Sequence, residues 1–174
     1  MKTPLKNLLE KSFKDELLEY MASYPEQFEP LIQLALSNEK RYSARAAWLL
    51  SKSMKQNDSR LKKHISEMIH HLAVVKDGHQ RTLMNILFMM QLNEEQEGLL
   101  FDICVKIWCK LDKIPSTRYT AMKLILQIAQ KHQELYSEIE LLTEAYFLDT
   151  LSHGIKKSIQ KMIKGFKEAN KKIS

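Results

Sequence analysis

The chain has 174 residues, 44% hydrophobic and 28% charged, with a formal net charge of +6. That length fits one domain with a real core, and that balance excludes a disordered polar chain. Four Gly and four Pro leave little turn chemistry; with apolar residues recurring about every 3.6 positions and no convincing alternation, the predicted class is all-α.

Residues 4–22 read as one opening helix, with Pro4 in its first turn and Leu5, Leu8, Leu9, Phe13, Leu17 and Met21 on its buried face. Pro25 and Pro30 restrict the chain before a short helix that runs to Ser37 and Asn38. Residues 41–55 then predict one helix with two stripes. Ala47, Leu50 and Met54 form the apolar one; Arg41, Arg45, Trp48, Lys52 and Lys55 form a cationic one. Asp58 or Ser59 can cap the next helix, whose core stripe is Leu61, Ile65, Met68, Ile69 and Leu72.

Asp77 and Gly78 mark a turn, and a helix follows from Gln80 to Leu92. Asn93 with Gln96 three residues on is a capping-box pattern. The helix it opens, 94–111, is apolar on almost every side, which predicts a fully buried helix at the centre of the stack. Pro115 breaks the chain; helices are expected over 118–131, over 134–151 and, after a turn at 152–154, over 155–171. The predicted units are 1–22, 23–57, 58–92, 93–132 and 133–174 within a single domain.

The helix pairs repeat. At a period of 37 residues Leu31, Met68, Val105 and Leu142 share one column, and Ala35, Leu72, Cys109 and Tyr146 another. In the second helices Ala47, Met84 and Ala121 align, as do Leu50, Leu87 and Leu124; a slip of one residue adds Ile159 and Met162. A repeated helix pair at this period is the mark of an α-solenoid. Glu39 and Arg45 stand six residues apart across a turn, as do Asp112 and Arg118, while Asp77 and Arg81 are four apart and the last repeat has His153 and Gly154 there. On these residues the chain resembles a HEAT-like or armadillo-like repeat protein. The resemblance implies a right-handed α–α superhelix of about four antiparallel helix pairs after an N-terminal helix, a binding scaffold rather than an enzyme, with the second helices lining its concave side.

Charge follows helix class. The second helices (40–57, 78–92, 117–132, 155–172) hold sixteen Lys or Arg and one acid, Glu168; the first helices with their turns hold seven basic residues and sixteen acids. A positive concave side would concentrate an anionic partner. The candidate partner-binding residues are the cationic stripe Arg41, Arg45, Trp48, Lys52 and Lys55, then Arg81, Arg118 and Lys123, then Lys156, Lys157, Lys161 and Lys164. Against this stands a structural reading in which Arg45, Arg81 and Arg118 pair with turn acids. The last helix, with seven lysines opposite Ile155, Ile159, Met162, Ile163, Phe166 and Ile173, is expected to cap the stack rather than to lie on a membrane.

Other constellations carry less. Cys104 and Cys109 face different directions on one helix, so two buried thiols in a reducing compartment are expected, without disulfide or metal pair. His64, Glu67 and His71, with His70 nearby, lack a second Glu-x-x-His copy and read as hydrogen-bonded surface. Neither a phosphate-binding glycine loop nor a nucleophile motif is present, and no cofactor is inferred. Met1 to Asn7 lack an apolar run and no segment is long enough to span a bilayer, so a cytoplasmic location is expected. The expected partner is another protein or acidic segment. The alternative is nucleic acid, because the DNA alkylation repair glycosylases are similar in architecture and groove charge; no residue here matches their catalytic acid, and Asp102 is not assigned that role.

Overall fold

Thr3 opens the first helix: its hydroxyl accepts from the Lys6 N–H at 3.4 Å, and Pro4 occupies the first helical position. The computed structural model describes residues 3–171. Its ordered elements are helical, with no strand among the described residues. The chain divides into two compact units, Met1–Leu92 and Asn93–Ser174.

In the first unit, α1 spans Pro4–Lys11 and α2 Lys14–Ser23. The single helix expected over 4–22 is therefore broken. Ser12 and Phe13 are extended, and the Glu16 carboxylate accepts from the Phe13 N–H at 3.2 Å, which caps α2 afresh. Arg45 donates to the Ser12 carbonyl at 2.6 Å and satisfies an acceptor that a continuous helix would have used. Phe13, expected in the buried face, is 81% exposed.

After a 3₁₀ turn at Pro25–Gln27 come α3 (Phe28–Ala35) and α4 (Ser43–Ser53). A second 3₁₀ segment (Ser59–His64) leads into α5 (Ile65–His71), and α6 covers Asp77–Phe88. α4 is the hub, packing on α2, α3 and α6. Ala46, Ala47, Leu49 and Leu50 give it a fully buried face. α6 starts earlier than its sequence suggests: Gly78 lies in its first turn, with Asp77 at φ 46°. His79 donates from Nε2 to the Ala35 carbonyl at 2.9 Å, and Gln80 donates to the Leu72 carbonyl at 2.7 Å, so α6 is tied to the ends of α3 and α5. Asn57, at φ 49°, donates to Gln91 at 2.9 Å and holds the link after α4 against the end of α6.

In the second unit, α7 spans Glu94–Cys109, α8 Pro115–Ala129, α9 Tyr136–Leu142, α10 Ala145–Leu148 and α11 His153–Lys171. The Asn93–Gln96 capping box forms, with bonds of 2.8 and 3.2 Å. α8 packs on α7, α9 and α11. Two expectations need correction. α7 is not buried all round: Leu100, Phe101, Cys104, Ile107 and Trp108 are buried, but Leu99, Ile103 and Val105 are half-buried and Asp102 and Lys106 exposed. The helix expected over 134–151 is divided by Thr143, whose hydroxyl turns back to the Glu140 carbonyl at 3.0 Å, and by extended Glu144.

The repeat columns are mostly real. Ala47, Met84, Ala121 and Ile159 are each 0% exposed, and Leu50, Leu87 and Leu124 are buried beside them, with Met162 half-buried. In the first-helix columns Leu31, Met68, Leu142, Ala35 and Leu72 are buried and Val105 half-buried, whereas Cys109 and Tyr146 are exposed. Both exceptions lie in the second unit, where the first helix of the last pair is short and split. The expected pair of buried thiols is likewise corrected to one, Cys104.

Candidate basic interfaces

Three of the candidate residues in the first unit project from the ordered faces of α4 and α6. Arg45, Lys52 and Arg81 are exposed, while Trp48 is half-buried between the α4 stripe and the core. Arg41 and Lys55 lie outside α4, in the flanking links, and both are exposed. Arg41 is committed locally: its Nε donates to Glu10 at 2.9 Å, and its guanidinium stands 5.8 Å from the Tyr42 ring centroid. Arg45 holds the Ser12 carbonyl instead of a turn acid, and Glu39, the acid six residues before it, pairs with Lys6 at 2.6 Å.

The second unit treats its candidates differently. Arg118 is 0% exposed and does not belong to any accessible face. Its Nε donates to the Trp108 carbonyl at 2.9 Å, Nη1 to the Thr150 hydroxyl at 2.7 Å and Nη2 to the Phe147 carbonyl at 2.9 Å. The guanidinium also lies 4.6 Å from the Trp108 ring centroid, a cation–π distance. Burial lowers its pKa from the ordinary value. As a partner-binding residue Arg118 is thus corrected: it knits α7 and α8 to α10 and to the link that follows α10. Trp108 is equally spent, fully buried and donating to the Leu142 carbonyl at 2.8 Å. Lys123 is half-buried.

α11 carries the strongest basic surface. Its apolar side, Ile159, Ile163 and Phe166, is buried, with Ile155 and Met162 half-buried. Lys157, Lys161, Lys164 and Lys167 are exposed on the remainder. Lys156 leaves this set in part, pairing with Asp149 at 2.5 Å. Lys164 lies 3.8 Å from Glu168, a long contact that leaves it solvated. Lys172 and Ile173, assigned to this helix from the sequence, lie outside the described residues.

Each unit also contains a clasp that the sequence reading missed. In the first, Glu29 of α3 receives Lys63 at 3.2 Å and His64 Nε2 at 3.0 Å, while His64 Nδ1 faces Glu67 at 3.5 Å. In the second, Glu97 of α7 receives Lys131 and, at 2.8 Å, His132 Nε2, while His132 Nδ1 faces Glu134 at 3.4 Å. In both, the histidine follows its glutamate by 35 residues. Each clasp joins the first helix of one pair to the entry of the next. His64, set down as surface, is buried at 6% exposure.

The electrostatics follow. The hydrogen bond from His64 holds the Glu29 carboxyl below its ordinary value. Burial works to raise the Glu97 pKa, but Lys131 and His132 outweigh it and the net shift is downward. Bonding to Glu97 raises the His132 pKa. None of this is acid–base chemistry aimed at a cavity; these are structural ion pairs. The cysteines are not activated either: burial pushes the Cys104 thiol far up and the Cys109 thiol up.

No described helix is long and apolar enough to cross a membrane. No curated protein and no solved structure matches the chain. The family model of the HEAT repeat domain matches residues 1–166. Consecutive helix pairs, repeating buried columns and clasps between successive pairs account physically for that match, and the chain belongs to the HEAT-repeat family.

Proposed function

We propose that this protein is a non-enzymatic helical-repeat scaffold whose basic second helices hold an acidic segment of a partner protein. One observation carries the reading. Among the described residues, every exposed charged side chain of α4, α6 and α11 except Glu168 is cationic, while most acids sit on the first helices and their turns, where Glu29, Glu97 and Asp149 are already consumed by internal pairs. A field of one sign on long second helices steers anionic partners and fixes their register. The effective set is Lys52 and Lys55 in the first unit and Lys157, Lys161, Lys164 and Lys167 in the second, with Arg45 and Arg81 exposed beside the former.

Nucleic acid is the competing ligand for the same charges. Trp108 has no ring face to offer it, and Trp48 offers only part of one, so base stacking finds little support on these helices. The test is binding of a short glutamate-rich peptide and of duplex DNA, each followed by fluorescence anisotropy across a salt series. The reading expects peptide binding that weakens in Lys157→Gln/Lys161→Gln/Lys164→Gln. Tighter DNA binding, with log K falling against log salt by about 0.9 per phosphate neutralised, overturns it.

A further inference from the structure

A cleft of about 460 Å³ opens in the second unit between α11 and the break that separates α9 from α10. Leu148 of α10 and Ile163 of α11, 7% and 9% exposed, give it an apolar lining. Thr143 lines it at the break, with its hydroxyl spent on the Glu140 carbonyl at 3.0 Å. The two sides are tied together in the free protein. Tyr136 of α9 packs edge-on against Phe166 of α11, ring centroids 5.2 Å apart, and Lys156 pairs with Asp149 just after α10 at 2.5 Å. The cleft is therefore formed before anything enters it, which lowers the ordering cost of binding.

The basic ridge of α11 runs along the edge of this cleft. Lys157, Lys161 and Lys164 are exposed at i, i+4 and i+7, which puts them on one face. With Ser158 and Gln160 they line a second, polar depression. Gln160 and Lys164 line both depressions, so the apolar hollow and the basic ridge are continuous. From Lys157 to Lys164 the ridge is about 10 Å long, the reach of about three extended residues. Glu168 is the one acid in the α11 sequence. It lines the cleft and lies 3.8 Å from Lys164, at the end of the ridge. A carboxylate beyond Lys164 would meet that like charge, so the cleft end favours a neutral residue.

We propose that the partner's acidic segment carries a large aliphatic residue beside its acids, and that this residue seats in the cleft against Leu148 and Ile163 while the acids lie along Lys157, Lys161 and Lys164. The inference rests on the acidic-partner reading and adds a second recognition element to it. The lysine ridge attracts any acidic run and cannot fix where along α11 that run sits. An apolar anchor in a preformed hollow at one end of the ridge fixes the register.

The test compares two labelled peptides on the full chain by fluorescence anisotropy: a glutamate run flanked by Leu at each end, and the same run flanked by Ala. The Leu peptide is expected to bind about fivefold more tightly than the Ala peptide. It is also expected to shift the Leu148 and Ile163 methyl signals in NMR, which the Ala peptide moves far less. Gln160 is exposed at the rim of the cleft, and Gln160→Trp lays an indole over it. In that variant the ratio of the two affinities is expected to fall to about one. Binding of the Ala peptide with no gain from Leu overturns this inference and leaves the acidic-partner reading standing. Binding of neither peptide overturns both. A gain that persists in Gln160→Trp, or that comes without the methyl shifts, overturns the inference as well.

Discussion

Arg118 and Arg45 look alike in sequence, each six residues after a turn acid, and the structure assigns them different work. Arg118→Ala removes three hydrogen bonds from a fully buried site and leaves the Trp108 and Phe147 carbonyls without that donor. It should cost about 3 kcal/mol or more in urea denaturation. Arg45→Ala loses one exposed bond to Ser12 and should cost about 1 kcal/mol or less. The spacing showed that an arginine stands there, but not that backbone carbonyls, rather than acids, receive it. Asp58 shows the same blind spot. It was legible as a cap, yet its pKa falls to about 2 because Arg60 grips both carboxylate oxygens at 2.9 and 2.7 Å, with Arg60 itself 3.4 Å from the Phe28 ring centroid. A depressed carboxylate contributes stability above its ordinary value, and that contribution is lost as pH falls through the folded value. Asp58→Asn should therefore cost on the order of 2 kcal/mol at neutral pH, with the difference shrinking below about pH 4.

At the scale of elements, the two glutamate clasps explain why successive pairs stay in register. His132 has a folded pKa raised above 6.5. Its stabilisation is fully present below that ordinary value and disappears as pH rises through the folded one. Glu97, shifted down from 4.5, acts oppositely: its share is present above that value and is lost as pH falls through the folded one. The stability advantage of the wild type over His132→Gln should shrink from about pH 6 to pH 8, whereas His71 and His79, whose pKa values burial lowers, act in the opposite direction and are common to both proteins. The clasp was present in the sequence as Glu29 and Glu97 with lysine–histidine dipeptides at 63–64 and 131–132, all displaced by the same interval. A search for apolar columns passes over it, because the repeating feature is polar and lies in the links. Element breaks were the other failure. The break at Ser12 rests on a cap from Glu16 and a bond from Arg45, one local and one distant in sequence. Phe13→Ser should accordingly change stability by about 0.5 kcal/mol or less, whereas Leu9→Ala should cost about 2–5 kcal/mol by thermal melt.

For the molecule as a whole, apolar periodicity was enough to reach the all-α class and the HEAT-type repeat, because buried columns such as Ala47, Met84, Ala121 and Ile159 recur at nearly fixed spacing. Charge counting by helix class was coarser. It credited Arg118, which is buried, and Lys156, which is paired, equally with Lys157 and Lys161, which are exposed. Accessibility is a tertiary property, and the sequence pattern did not carry it. The central claim is that the exposed lysines of α11 hold an acidic protein segment. The most direct measurement is the anisotropy of a labelled glutamate-rich peptide titrated with the wild type and with Lys157→Gln/Lys161→Gln/Lys164→Gln, between about 50 and 200 mM salt. The account predicts binding that weakens with salt and drops about tenfold or more in the variant at the lower salt, with the melting temperature unchanged. Peptide binding that is absent, or equal in the wild type and the variant, would contradict it.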